Sequence, residues 1–383
     1  MATFGPRVTP IIFVGAKAES AVEELVLGGQ QAAALDTLAR LLASDRFERP
    51  IVATASASLA GTLGDWPVTV ELDEGEFHFG RRLRDLVRRH QAARPFYIGG
   101  GSAPLLATSE LESIADTAMA DEGTVVANNF FSCDFAAFSP GEALDRIDPP
   151  AIDNDLAFLL QRQAGLRNVP LPRTASTQLD VDTPVDLTIL QLHPGIGPFC
   201  QRFLDSARLD TSRVRATMRL FTDPTAEVIV AGRVGSHVLA HLETDLACRK
   251  RIYSEERGMR ASGREARGEV RSLLGFFLAA VGPARFFASL GQLGQAAFLD
   301  SRVLFSHLGL QPAAADRFHS DLFEAEAIVD PFVREFTTAA REAPIPVLLG
   351  GHSLVSGGLW ALIDAAWQER DRLLAEGSTE AQR

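Results

Sequence analysis

The stretch STQLDVDTPVDLTIL, Ser176 to Leu190, changes character at its centre. Its first half reads as extended chain and its second as an apolar helix. Thr183 suits the cap of that helix, and Pro184 suits its first position, where a missing N–H costs nothing. Asp186, three residues beyond Thr183, completes a capping-box pattern with Asp in place of Glu. Asp180 and Asp182 have no such structural duty. Spaced i, i+2 on an extended segment, they point the same way. Two like charges side by side repel unless a cation or hydrogen-bond donors offset them. The spacing therefore predicts a divalent metal at Asp182 and Asp180.

Upstream of this stretch, short β-like runs alternate with helical ones. PIIFVGA (10–16), PIVATAS (50–56), VTVELD (68–73), PFYIGG (95–100) and GTVVANN (123–129) read as strands. AAALDTLARLLAS (32–44), FGRRLRDLVRRHQ (79–91), TSELESIADTAMA (108–120) and IDNDLAFLLQRQAG (152–165) read as helices. Strands separated by helices imply an α/β domain with a mostly parallel sheet and both faces covered. This domain is expected over residues 1–193, with LHPGIGPFC (192–200) as the boundary. Beyond it only EVIVAG (227–232) and PIPVLLGG (344–351) suggest strands, so residues 200–383 are expected to form a second, mainly helical domain.

The chain as a whole has 383 residues, enough for two cores, with 46% apolar residues and a formal net charge of -12. That charge argues against sequence-independent binding to a nucleic acid backbone, while leaving nucleotides open. The three cysteines form no CxxC, so a zinc knuckle or dithiol site is not expected. The N-terminus lacks the pattern of a signal peptide. The greasiest segment, SLLGFFLAAVGPARFF (272–287), is cut by Gly-Pro and Arg285. A cytoplasmic protein with no membrane partner is expected.

Ligands of open α/β sheets sit outside the carboxyl ends of the strands. Several polar groups fall there. Gly15 and Lys17 follow the first strand in a loop that is neither a P-loop nor a dinucleotide fingerprint. ELDEGEFHFG (71–80) carries four acids within six residues, then His78; it reads as a magnesium site or as a solvated turn. Gly99, Gly100, Gly101 and Ser102 permit close backbone approach at the end of an apolar strand. Asn128 and Asn129 end another strand, with Asp134 near; Asn pairs read bases or sugars, or make Asx turns.

DVDTPVDL (180–187) resembles the DxDTPxDL signature near the end of the nucleotidyltransferase domain with the GT-A-like fold, a superfamily that includes molybdenum-cofactor guanylyltransferases, phospholactate guanylyltransferases and cytidylyltransferases. YIGGGSAPLLATSELESIAD (97–116) is similar to that family's strand followed by Asp-x-Pro-Leu-Leu, and GGQQAAALDTLARLLASDRFERPIVATAS (28–56) to its Gly-Lys-Pro, helix and strand. The resemblance covers about residues 8–195. It implies a three-layer nucleotidyltransferase-type sheet and Mg²⁺- or Mn²⁺-dependent transfer of a nucleoside monophosphate from a nucleoside triphosphate to a phosphorylated or cofactor-like small-molecule acceptor. Asp182 matches the second metal aspartate, with Asp180 beside it and Asp134, or one of Glu71, Asp73 and Glu74, as a replacement ligand. The nucleotide would lie along Gly15, Lys17, Gly99–Ser102, Asn128 and Asn129. The sequence departs from the family at two places: Gln30 replaces its Lys, and Gly101 or Ser102 stands where its first metal Asp is expected. A nucleotide-sugar-dependent glycosyltransferase, or a catalytically inactive nucleotide-binding protein, is the alternative.

No family resemblance extends past residue 200. There, Arg267 and Arg271 share a helical spacing beside SEERGMRASG, a turn suited to phosphate. His237 and His241, with Glu243 near, have a spacing that can bind zinc, although a packed pair is the simpler reading. Asp316, His319 and Asp321 fall in DRFHSD. GGHSLVSGG (350–358) presents His352 and Ser353 in a Gly-rich strand-to-helix turn of the kind that cradles anions. This half is a candidate for acceptor binding or for homodimer formation.

Overall fold

The computed structural model describes residues 7–15 and 17–380. The chain divides into two compact units: Met1–Lys17 with Leu27–Asp180 and Gly197–Phe203, and Ala18–Val26 with Val181–Ile196 and Leu204–Arg383. The sequence suggested a boundary near 193–200; the units instead divide inside the DVDTPVDL stretch, between Asp180 and Val181. The reason lies in packing. Helix Pro184–Leu190, buried along its whole length, carries Val185 and Asp186 into the core of the second unit.

The first unit is built on a seven-stranded sheet: β1 (Thr9–Val14), β2 (Ile51–Thr54), β3 (Thr69–Leu72), β4 (Pro95–Gly99), β5 (Thr124–Ala127), β6 (Phe135–Ser139) and β7 (Arg167–Pro170), in the order β3-β2-β1-β4-β6-β5-β7. Every pairing is parallel except the two made by β6. β1 shows why the sheet lies in the middle of three layers. All six of its residues are buried, and successive side chains go to opposite faces. Ile11 and Phe13 join Phe79, Leu83, Leu86, Tyr97, Phe138 and Leu156. Ile12 and Val14 join Leu38, Leu41, Phe96, Leu111, Ile114 and Phe135. A strand with two buried faces needs a continuous apolar run rather than alternation, which is what TPIIFV supplies.

The second unit also has a sheet at its centre. β8 (Glu227–Gly232), β9 (Arg249–Ser254), β10 (Ala296–Asp300) and β11 (Val347–Gly350) are all parallel, in the order β11-β10-β8-β9. Helices outnumber strands here, as expected, but RKRIYS and AAFLD, read as helical, are strands. β9 lies at the edge and pairs only with β8, so its charged side chains reach solvent. β10 is a five-residue, wholly buried run, too short for its periodicity to separate it from a helix. One helix among the described residues, Leu273–Leu290, is long and apolar enough by composition to cross a membrane. Its backbone leaves helical values at Gly282 (φ 76°, ψ 165°), ahead of Pro283, and Leu274, Leu278, Phe286, Phe287 and Leu290 bury in the core of this unit.

The cysteines are all free and buried. Burial pushes the Cys133 thiol well up, that of Cys248 to about 11, and that of Cys200 up as well, with the Asp36 charge adding to the last.

Asp36, on helix Ala21–Leu42 and 1% exposed, accepts hydrogen bonds from the backbone N–H groups of Phe199 (2.9 Å) and Cys200 (2.8 Å). It thereby satisfies two donors at the start of helix Pro198–Ala207 that have no partner within their own helix. The Asp36→Ala variant is expected to lose about 2 kcal/mol of stability, measured as a lower urea midpoint with an unchanged slope.

Candidate functional site

At the carboxyl end of β4 the chain makes a tight turn. Gly100 N–H donates to the Phe13 carbonyl (2.7 Å), Gly99 N–H to that of Asp134 (3.1 Å) and Ala103 N–H to that of Leu179 (3.2 Å). A Cβ on Gly99 would stand 2.5 Å from Ser102 Oγ, and one on Gly100 would stand 3.0 Å from the Phe13 carbonyl. Gly100 is thus required by the close approach of the end of β1, and Gly99 by the fold of the turn back onto Ser102. Gly100, Gly101 and Ser102 are buried; Gly99 is partly exposed. An antiparallel bridge joins Ser102 to Asp180. Through it, half-buried Asp180 is fixed beside the turn where the sequence comparison expected a carboxylate and where Ser102 stands instead.

Gly15 and Lys17, beyond β1, are exposed; Ala16 between them lies outside the described residues. Below them, Phe13 makes edge contacts with Phe77, Phe79 and Tyr97 at ring separations of 5.4–5.8 Å. Tyr97 donates its hydroxyl to Asp153 (2.7 Å); burial, then that carboxylate, pushes the phenol well above its usual range.

Asn128 works as an internal bracket. Its Nδ2 donates to Asp134 Oδ2 (2.7 Å) and to the Thr177 carbonyl (3.3 Å), and its Oδ1 accepts from Asp134 N–H (3.0 Å). Asn129 accepts from Phe131 N–H in an Asx turn. Asp134 is therefore engaged by Asn128 through both its side chain and its backbone. Two acids of the ELDEGEFHFG stretch also have partners. Glu71 accepts from Arg89 (2.7 Å) and His90 (2.8 Å), and Asp73 from Arg82 (2.7 Å). Burial, the largest influence, raises the Glu71 carboxyl, but His90, Arg89 and Arg82 together hold it below the usual range. His78 caps helix Phe79–Arg89.

In the second unit Asp182 is exposed, while Asp186 beneath it is wholly buried. Asp186 Oδ2 accepts from Thr183 N–H (2.8 Å), Thr183 Oγ1 (2.8 Å), Asp182 N–H (3.1 Å) and Ser353 Oγ (2.7 Å). The capping-box reading of Thr183 and Asp186 is met, and the same carboxylate holds the GGHS turn. Burial and then the Asp182 charge push the Asp186 carboxyl to about 7, against the hydrogen bonds from Ser353 and Thr183. Among the described residues no three His, Cys, Asp or Glu side chains gather as a metal-binding group.

The remaining sequence candidates separate. His241 pairs with Asp245 (2.8 Å) and stacks on Trp360, a packed histidine rather than half of a zinc pair. Arg267 pairs with Glu269, and Arg271 donates to the Gly268 and Val270 carbonyls. Asp316 accepts from the Val329 and Asp330 N–H groups, and His319 pairs with Glu324. Sequence reading missed the buried ions. Arg233, after β8, forms a two-pronged bond with Asp300, the last residue of β10. Arg302 does the same with Asp321 at 2.6 Å on both prongs. Arg233 and Asp300 stand 67 residues apart, and only the strand order brings them together. His352, after β11, is pushed down to about 4, first by burial, then by the Arg233 charge, with Asp300 opposing and Arg257 and His237 adding.

No family model matches the chain, and no curated protein matches it. Three solved structures similar to it are CMP:2-keto-3-deoxy-manno-octonic acid synthetase complexed with CTP, a cytidylyltransferase from Leptospira borgpetersenii, and 4-diphosphocytidyl-2C-methyl-D-erythritol synthase. The first is 12% identical, covering 48% of this chain and 95% of that one, with a TM-score of 0.37. The second is 14% identical over 53% and 94%, with a TM-score of 0.39. The third is 14% identical over 49% and 98%, with a TM-score of 0.35.

A histidine neutral in the fold and free to ionise when unfolded makes stability depend on pH. The folded value of His352, about 4, lies below its ordinary 6.5. Its contribution is therefore full above pH 6.5 and lost as pH falls towards 4, by at most about 3 kcal/mol. Denaturant titrations of the wild type and His352→Gln between pH 7 and pH 4 should show the wild type losing more stability; parallel curves would contradict this.

Proposed function

We propose that the first unit binds a nucleoside triphosphate with Mg²⁺ at the carboxyl ends of β1 and β4 and transfers its nucleoside monophosphate to a phosphorylated or cofactor-like small-molecule acceptor. The observation that carries this reading is the bridge between Ser102 and Asp180. It joins the DVDTPVDL signature to the turn after β4, the two segments that the signature's resemblance pairs. Both lie at the strand ends where open α/β sheets receive ligands.

The donor chemistry suits magnesium. That ion takes one or two carboxylates and completes its shell with water and phosphate oxygens; Asp180 is a half-buried carboxylate bridged to a hydroxyl-bearing residue. When bound, the metal would offset charge growing on the phosphates during in-line attack. Lys17, exposed in the loop after β1, would contribute a positive charge to the same phosphates. Neither Asn128 nor Asp134 is needed as a ligand, because each has a partner within the fold.

Ser102 in place of a carboxylate favours a second reading, in which the domain keeps the nucleotide and has lost transfer. Calorimetry with each of the four nucleoside triphosphates, with and without Mg²⁺, tests the first step. One of them should bind in a magnesium-dependent manner, and Asp180→Asn should weaken it at least tenfold. Release of pyrophosphate on adding phosphorylated acceptors separates transfer from binding alone. Absence of heat with all four triphosphates would overturn both readings.

A further inference from the structure

The chain leaves β8 to one side to form β9 and returns on the other side to form β10. Open parallel sheets bind ligands where the strand order reverses in this way, outside the carboxyl ends. All four strands deliver polar side chains there: Arg233 after β8, Arg257 after β9, Asp300 at the end of β10 and His352 after β11.

The stability of the fold does not explain this set. Arg233 and Asp300 are 8% and 2% exposed. Removing both charges from water is costly, and apolar residues of the same volume would serve a core as well or better. The backbone is shaped around the pair: Gly232 has a φ of +128°, and a Cβ on it would stand 2.3 Å from that of Asp300. The turn after β8 is equally crowded, since a Cβ on Gly235 would stand 2.8 Å from His237 Cε1 and 3.3 Å from Arg257 Cζ. Arg257 itself is exposed. Along the same segment Arg260, Arg264 and Arg267 each pair with a glutamate. No such pairing occurs at Arg257 among the described residues. Asp300 is neutralised by Arg233, which leaves the exposed Arg257 and the partly exposed His352 as the polar groups open to a ligand.

We propose that the carboxyl ends of β8–β11 form an oxyanion-binding site, in which Arg257 and His352 contact a phosphate or carboxylate group of a small molecule and the Arg233–Asp300 pair positions them. Arginine presents a planar fork matched to either group. The site is independent of the nucleotide reading, because the two share no residue.

Calorimetry and thermal melting of the full chain with inorganic phosphate, and separately with malonate, test this. Saturable binding of phosphate alone points to a phosphate ester; binding of malonate alone points to a carboxylate. Arg257→Ala should raise the dissociation constant at least tenfold, and His352→Gln should raise it severalfold. Asp180→Asn should leave it unchanged, which separates failure here from failure of the nucleotide site. The proposal is overturned if neither anion binds, or if both second-unit variants bind as the wild type does.

Discussion

The antiparallel bridge between Ser102 and Asp180 ties together the candidate site of the first unit. A parallel sheet leaves its strand ends as separate loops, and nothing in the β-ladder itself ties them together. Here a segment arriving from the far edge of the sheet, beyond β7, is pinned next to the turn after β4 near the sheet's centre. The glycines of that turn let it pack tightly against the end of β1 and against its own Ser102. A side chain at Gly100 would crowd the Phe13 carbonyl to which its N–H now donates. If the proposed nucleotide site is correct, binding and folding constrain the same few residues, and substitutions there will confound the two unless stability is followed alongside affinity.

Charge is handled differently in the two units. In the first, the acidic cluster after β3 is offset by arginines one helix later, on a partly solvated surface where such pairs contribute little energy. In the second, Arg233–Asp300 and Arg302–Asp321 lie inside, where breaking one partner leaves an uncompensated ion and is far more damaging than replacing both. Asp186 belongs to the same interior pattern. One of its oxygens gathers four donors while Oδ1 has none, so the helix start and the GGHS turn depend on a single acceptor atom.

Much of the architecture was legible in the sequence because the elements obey local rules. β1, β4 and β5 are continuous apolar runs, and the helices between them carry a 3.6-residue period. The Thr183-Pro184-Asp186 cap was readable because its hydrogen bonds close within a few residues. What could not be read is what depends on distant pairing. β9 carries arginine and lysine because its edge faces water, and β10 is too short to show a period. The partnership of Arg233 with Asp300, and that of Glu71 with residues 82 to 90, exist only once strands are ordered and helices laid over them. The asparagines after β5 show the converse. Their residue type suits recognition, but Asn128 spends its side chain on the hairpin that it closes.

The three buried thiols have a practical consequence. With each sulfur shielded from water and kept protonated by its surroundings, the native chain presents a blank background to alkylating probes. A cysteine introduced at an exposed position, such as the loop after β1 or the edge of β9, would be the single reactive handle on the molecule. Fluorophore or spin-label pairs could then be placed one in each unit, and their separation followed in solution, without first removing any native residue.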